Sequence, residues 1–344
     1  MTVASPSSLY SDLDVEAQLD APLGPRTWYG VGGRADLLVR PRTIEALSTL
    51  VRRCRRDDVP LRVLGSGANL LVDDEGVDGV VVTLDDAAFR KVEFNVDGRV
   101  ERMRVFGGAQ LEALIHKCAR QGLRGIEQMS GIPATLGGAV RMNAGGKFGS
   151  IGDVIDAVAM VGTDGELRVY TAAELEFGYR ETNLPAGTIV WAVLRMQEDD
   201  PIACRARVME IFQYKKSTQP MAAASAGCMF RNPLMADGRR ESAGKLIDLA
   251  GLKGLRVGSA VVSTTHGNFL AFDRPSASSV ARTDDMRALV EQVQREVSSK
   301  FGVELATEVV FWRRGEYARS TSSLREKRKM IPGGIRPPRP EGDP

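Results

Sequence analysis

Apolar positions recur along the chain in two rhythms, and these predict the elements. Residues 35–41 (ADLLVRP) read as a strand ending at Pro41. Thr43 then has the chemistry to cap a helix over 43–58, whose Ile44, Leu47, Leu50, Val51 and Cys54 share one face. LRVLGSGANLLV at 61–72 reads as strand, Gly-rich turn and strand, and GVVVTL at 79–84 as a buried strand. A strand at 100–106 precedes a helix with Leu111, Leu114, Ile115 and Cys118 in phase and Gly122 as its stop. From 154 to 195 strands dominate, with Asp164-Gly165 marking a hairpin. Residues 242–255 predict a short helix, 258–272 further β-structure, and 303–312 a last strand. Met286, Leu289, Val290, Val293, Val297 and Phe301 stripe an amphipathic helix over 283–301. Helices and strands mix without strict alternation, so the fold class is α+β.

Charge changes the picture at the ends. Residues 1–20 read as a flexible leader without a secretory signal. Residues 313–344 hold nine Lys/Arg against four Asp/Glu, with many Pro and few apolar residues, and read as a disordered basic tail. The net charge of the chain is +2, so the tail's +5 leaves −3 on the remainder. That excludes a general nucleic-acid-binding field. No apolar run is long enough to insert in a membrane. With only two histidines, neither a His-rich metal centre nor a Ser-His-Asp triad is indicated. The cysteines (Cys54, Cys118, Cys204, Cys228) have neither zinc-ligand nor disulfide-framework spacing. Reduced thiols fit a cytoplasmic protein, here expected to be a monomer acting on a small molecule.

Three clusters carry the candidate chemistry. Gly65-Ser66-Gly67-Ala68-Asn69 between two strands could turn backbone N–H groups toward an anion, although a tight turn alone explains such a run. It lacks GxGxxG spacing, so no Rossmann fingerprint is present. Residues 131–146 contain five glycines and little charge, too Gly-rich for a helix in isolation and suited to backbone lying along an extended cofactor. The third, 225–233, puts Cys228 between Gly227 and the Arg231-Asn232 pair.

Taken in order, these clusters and four flanking motifs resemble the bacterial UDP-N-acetylenolpyruvoylglucosamine reductase family. Residues 27–36 resemble its N-terminal NT-[FY]-x-[IV]-GG-x-A signature, 64–72 its LGxGSNLLV loop, and 131–145 its GIPGTVGGAVxMNAG loop. Phe177–Arg180, 225–233, Ala243 to Phe269 and 305–309 match four more. The resemblance implies a two-lobed FAD-binding domain of the vanillyl-alcohol-oxidase-like type plus a smaller α+β substrate-binding domain. Its boundaries would be 21–85 for the first lobe, 86–219 for the second, 220–305 for the substrate-binding domain, and 306–312 for a strand returning to the site.

It further implies non-covalent FAD held by Gly65, Ser66, Gly67, Ala68, Asn69, Leu70, Gly131, Ile132, Pro133, Gly138, Ala139, Met142, Asn143 and Gly145. Tyr179, Lys216, Asn232 and Asn268 would contact a UDP-sugar enolpyruvyl ether, with Lys215 near the phosphates. The family reaction passes hydride from NADPH through FAD to C3 of the ether and a proton to C2. By resemblance, Arg180 holds the substrate carboxylate, Glu308 assists with a raised pKa, and Cys228 is the proton donor. Cys228 departs from the family, which has Ser there. An unperturbed thiol is more acidic than a hydroxyl and more easily oxidised. The short chain between Arg180 and Pro220 resembles the subfamily lacking an extra Tyr-bearing loop. Another FAD oxidoreductase of the same fold, acting on an alcohol or sugar, is the alternative.

Overall fold

The computed structural model describes residues 6–220, 223–273 and 281–316. Within them the protein is α+β, as the pattern predicts, and three antiparallel or mixed sheets carry the architecture. The first sheet runs, edge to edge, through strands Val15–Pro22, Arg34–Pro41, Val77–Thr83 and Leu61–Leu64, the last three parallel to one another. Helix α1 (Ile44–Arg56) packs on it through Leu47, Leu50 and Cys54, and Thr43 caps its start by accepting from the Ala46 N–H.

The second sheet is antiparallel, in the order Leu167–Thr171, Ile155–Gly162, Gly187–Arg195, Arg102–Phe106 and Val92–Phe94. Helix α2 (Leu111–Arg120) covers it with the predicted Leu111, Leu114, Ile115 and Cys118 stripe. Gly122 ends that helix region with φ +69°, a left-handed conformation that glycine adopts freely. The third sheet orders Ala224–Cys228, Phe269–Phe272, Ala260–Val262 and Arg256–Val257. Strand Val310–Trp312 returns to pair in parallel with Leu70–Val72.

Four features depart from the sequence reading. Residues 6–20 are not a loose leader: Leu9 is buried and strand Val15–Pro22 pairs along its length with Arg34–Pro41. Val15, Ala17, Leu19 and Ala21 alternate with Glu16, Gln18 and Asp20, a two-residue rhythm that fits a strand and that the leader reading passed over. The Gly-rich segment contains a short helix, α3 (Leu136–Arg141), because Thr135 caps it and Leu136, Ala139 and Val140 are buried. Tertiary packing supplies what the glycines lack in propensity. An eighteen-residue helix, α4 (Pro201–Thr218), lies where no element was predicted. Its buried positions (Cys204, Val208, Ile211, Lys215) do form a stripe, but exposed Ile202, Met209 and Tyr214 scatter apolar residues around the other faces. The basic tail does not begin cleanly at 313. Arg313 and Glu316 carbonyls accept from the buried Arg62, and Arg314 pairs with Asp36. Residues 317–344 lie outside the described ones.

Two helices complete the third region. Helix α5 (Ala243–Leu249) is capped by Ser242, and α6 (Thr283–Phe301) ends at Gly302 with φ +66°. The α6 stripe fills the same core as Ala226, Phe230 and Leu270. That core also takes Tyr29, Leu71 and Val309 from elsewhere in the chain.

Candidate active site

Three distant segments meet through their backbones. The Glu308 N–H donates to the Met229 carbonyl at 2.7 Å, and Arg231 N–H to Ala306 O at 2.8 Å. Asn69 Nδ2 donates to the Glu308 carbonyl at 3.0 Å, and Val310 N–H returns to Asn69 O. The strand-ending motif 305–309 is thereby laid between the 65–72 loop and the Cys228 segment.

Arg180 arrives on a hairpin. Phe177–Gly178 pairs with Glu181–Thr182, leaving Tyr179 and Arg180 at the turn. Arg180 has φ +59°, a left-handed conformation that costs a non-glycine residue about 1 kcal/mol or more. Asn143 pins the hairpin: its Nδ2 donates to Gly178 O at 2.8 Å while its Oδ1 accepts from Gly152 N–H at 3.0 Å. Arg180 Nε then donates to Glu308 Oε1 at 2.6 Å and its Nη1 to Gly145 O at 2.8 Å.

The electrostatics join Cys228 to this pair. Burial pushes the Cys228 thiol up to about 12; the Glu308 carboxylate adds to the rise and the Arg180 guanidinium opposes it. Burial also raises Glu308 above the ordinary carboxyl range, against the pull of Arg180. The Met229–Glu308 backbone bond and the Arg180–Glu308 side-chain bond bring the three segments into one region. Desolvation thus favours the neutral Cys228 thiol in the ligand-free protein.

A cleft of about 290 Å³ opens between the ends of the first two sheets. Gly65, Gly107, Gly108, Gly137, Gly138 and Gly187 are among its walls, with Arg26, Arg90 and Arg141. Gly107 and Gly108 leave no room for a Cβ, since backbone carbonyls of Ile189 and Leu84 press against them. Ser66 Oγ ties the two expected loops by donating to Pro133 O at 3.0 Å. None of the N–H groups of residues 65–69 donates to an acceptor among the described residues. A row of free donors beside a cleft with cations in its wall suits a diphosphate.

The predicted residues separate on these facts. Gly65 and Gly138 line the cleft. Ala68, Gly131 and Ile132 lie in the two loops, Ile132 against the second sheet's core, and Met142 caps the end of α3. Gly67 packs against the Arg26–Thr27 backbone. Leu70 and Ala139 are core side chains, so they can offer a ligand only backbone. Asn143, Asn69 and Gly145 are occupied in positioning Arg180 and Glu308. Tyr179 and Asn232 do meet, the Asn232 N–H donating to the Tyr179 hydroxyl at 3.2 Å. Arg240 stacks 4.4 Å from the Tyr179 ring, beside a second cavity of about 540 Å³ that Arg231 and Asn232 also line.

Two of the expected substrate residues differ in how far they are free to meet a ligand. Asn268 is 2% exposed, and its amide bonds the N–H and carbonyl of Phe230, so it holds the Cys228 segment. Lys216 is exposed, whereas Lys215 is buried, its Nζ donating to Ser130 O at 2.6 Å. One residue along a helix turns a side chain by ~100°, which sequence proximity does not sort. The missed wall residues Gly107, Gly108 and Gly187 had a signal in part: a Gly-Gly pair directly after a predicted strand.

Residues 219–312 match the family model described as UDP-N-acetylenolpyruvoylglucosamine reductase, C-terminal domain, and residues 35–171 match an FAD binding domain. A UDP-N-acetylenolpyruvoylglucosamine reductase of Desulfosudis oleivorans is 42% identical over 299 residues, covering 84% of this chain and 92% of its own length. The chain belongs to the UDP-N-acetylenolpyruvoylglucosamine reductase family. The reductase of Moorella thermoacetica is 36% identical over 308 residues, covering 89% of this chain and 97% of its own. The crystal structure of the Thermus caldophilus reductase superposes with a TM-score of 0.70 at 38% identity, covering 87% of this chain and 99% of that one. Family membership agrees with the cleft: its glycine walls, free N–H row and arginines fit an FAD dinucleotide within the matched 35–171 and just beyond it.

Proposed function

We propose that the protein is a cytoplasmic, monomeric, FAD-dependent oxidoreductase that uses NADPH to reduce UDP-N-acetylenolpyruvoylglucosamine to UDP-N-acetylmuramate for peptidoglycan precursors. Family membership over most of the chain supports the reaction class. The observation that carries the site assignment is the 2.6 Å Arg180–Glu308 contact with Cys228 in electrostatic reach of both.

FAD, when bound, supplies hydride-transfer chemistry between NADPH and the enol ether. The residues do the rest. Hydride addition at C3 pushes negative charge into the carboxylate attached to C2. Arg180, permanently cationic and fixed by the Gly145 carbonyl, stabilises that charge. In the ligand-free site Glu308 occupies the guanidinium, so the substrate carboxylate competes for it. Protonating Glu308 removes the repulsion and leaves a hydrogen-bond donor, and its raised pKa eases that change. Cys228 delivers its proton to C2 and is reprotonated from water. A thiol held neutral is always loaded for that step. Arg231, Arg240 and the Tyr179–Asn232 contact offer cations and polar groups for the uridine diphosphate. On this reading the proposed divisions at 21–85, 86–219, 220–305 and 306–312 describe two cofactor lobes, a substrate domain and a return strand.

Anaerobic stopped-flow separates the steps. Cys228→Ser should keep measurable turnover. Cys228→Ala should leave flavin reduction by NADPH intact and slow reoxidation by the enolpyruvyl nucleotide at least tenfold, within the range of about 10²–10⁴ expected for a lost general acid. Equal reoxidation rates for Cys228→Ala and the parent would sink the proton-donor role. Purified protein without flavin absorbance, or NADPH oxidation indifferent to the enolpyruvyl nucleotide, would sink the activity. The alternative alcohol or sugar oxidation would show as flavin reduction by such a substrate without NADPH.

A further inference from the structure

The wall of the dinucleotide cleft contains three arginines, and they are not equivalent. Arg26 lies 3.5 Å from the Asp85 carboxylate, which Arg40 also contacts at 2.5 Å. Arg90 is exposed. Arg141, the last residue of α3, is different. Its Nη1 donates to Leu184 O at 3.0 Å and Pro185 O at 2.9 Å, and its Nη2 to Gly187 O at 3.1 Å. No carboxylate pairs with it among the described residues. Carbonyls satisfy its donors but are neutral, so the full positive charge remains. Burial lowers its pKa to about 10, which still leaves it charged at neutral pH. Its Nε has no acceptor among the described residues.

A cation fixed by three carbonyls, without a counter-ion, beside a cleft shared with Gly65 and Gly138, is set for an anion. We propose that Arg141 is a further cofactor-binding residue, whose counter-ion is the diphosphate of the bound dinucleotide. This rests on the FAD reading of the cleft. The rigid carbonyl clamp means the guanidinium needs no reordering when the ligand enters, so little side-chain entropy is lost. The same clamp holds residues 184–187, and Gly187 lines the cleft. A purely structural staple and a charge-bearing ligand contact therefore predict different ligand selectivities.

The test uses deflavinated full-length protein and measures FAD, ADP and riboflavin affinity at low and high salt. Arg141→Gln removes the charge but can still donate to carbonyls. It should weaken FAD and ADP about tenfold or more, flatten their salt dependence, and leave riboflavin within about twofold. Arg141→Lys should recover most of the FAD and ADP affinity. Should Arg141→Gln fail to fold, Arg141→Met takes its place: ADP weakened with riboflavin kept supports the assignment, and unchanged ADP affinity overturns it. Loss of riboflavin and ADP in equal measure, in whichever variant folds, identifies a staple and overturns it. So does unchanged FAD affinity in Arg141→Gln. A parent protein that binds no FAD at low salt overturns the FAD reading instead, with ADP binding still reporting on Arg141.

Discussion

Cys228 is half-buried and Lys215 buried, both feel the Arg180 charge, and desolvation moves them in opposite directions. The thiol, at about 12, is almost wholly protonated at pH 8, where an ordinary thiol near ~8.5 is about one-quarter ionised. Alkylation of Cys228 by iodoacetamide in the ligand-free protein should therefore be slow at pH 8 and still be rising at pH 10. Site-resolved mass spectrometry reads this, and a plateau below pH 9 would contradict a thiol held neutral. Lys215 is lowered to about 8, first by burial and then by the Arg180 charge. A lowered folded pKa means the unfolded chain binds the extra proton between pH 8 and 10.5. Its contribution is thus lost as pH falls through 8 and fully present above the unfolded value. Relative to Lys215→Met, the parent should gain up to about 3 kcal/mol of unfolding free energy from pH 8 to 10.5, measured by denaturant melts.

At the scale of elements, the cleft depends on strands and turns approaching without side chains. Gly108 follows strand Arg102–Phe106, and a Cβ there would collide with the Leu84 carbonyl. Backbone cannot yield as a flexible side chain can. Gly108→Ala should therefore cost about 1–3 kcal/mol in stability and weaken FAD retention, read together by melting and flavin release. An unchanged melting curve would show that the two sheets part easily. The same element-level logic explains what the pattern missed. Helix α4 has a buried stripe blurred by exposed apolar residues, and strand Val15–Pro22 alternates but turns mainly small residues inward. Helices α1, α2 and α6 were legible because each buries one continuous face.

At the scale of the whole molecule, the core around α6 is not confined to the matched C-terminal region. Tyr29 and Leu71 enter it from the first sheet's segment, and Tyr29 stacks edge-on against Phe272 at 5.6 Å. Asp74 caps the start of α6 at the Thr283 N–H, and Arg287 reaches Asp73. Expressed alone, residues 219–316 would lack two buried side chains and expose the face they fill. Losses of about 3–5 kcal/mol for a large buried aromatic approach a small domain's total stability. The isolated fragment should thus show no cooperative melting transition by circular dichroism. A sharp transition would mean that this core closes without the first sheet.

The sequence by itself determined the α+β class, the amphipathic helices and the motifs whose order marks the family. These are local or linear properties: a periodic face, a capping threonine, a run of glycines. It also named Arg180, Cys228 and Glu308, because each sits in a motif. Only the tertiary structure decided which side chains face the cleft. Asn143, Asn232 and Asn268 all spend side-chain amide groups on backbone brought near by folding. Lys215 and Lys216 differ by one residue and end on opposite sides of the burial boundary. Whether Cys228 is acidic or held neutral also depends on neighbours 48 and 80 residues away along the chain, Arg180 and Glu308. Such facts follow from desolvation and long-range contact, which no local pattern encodes.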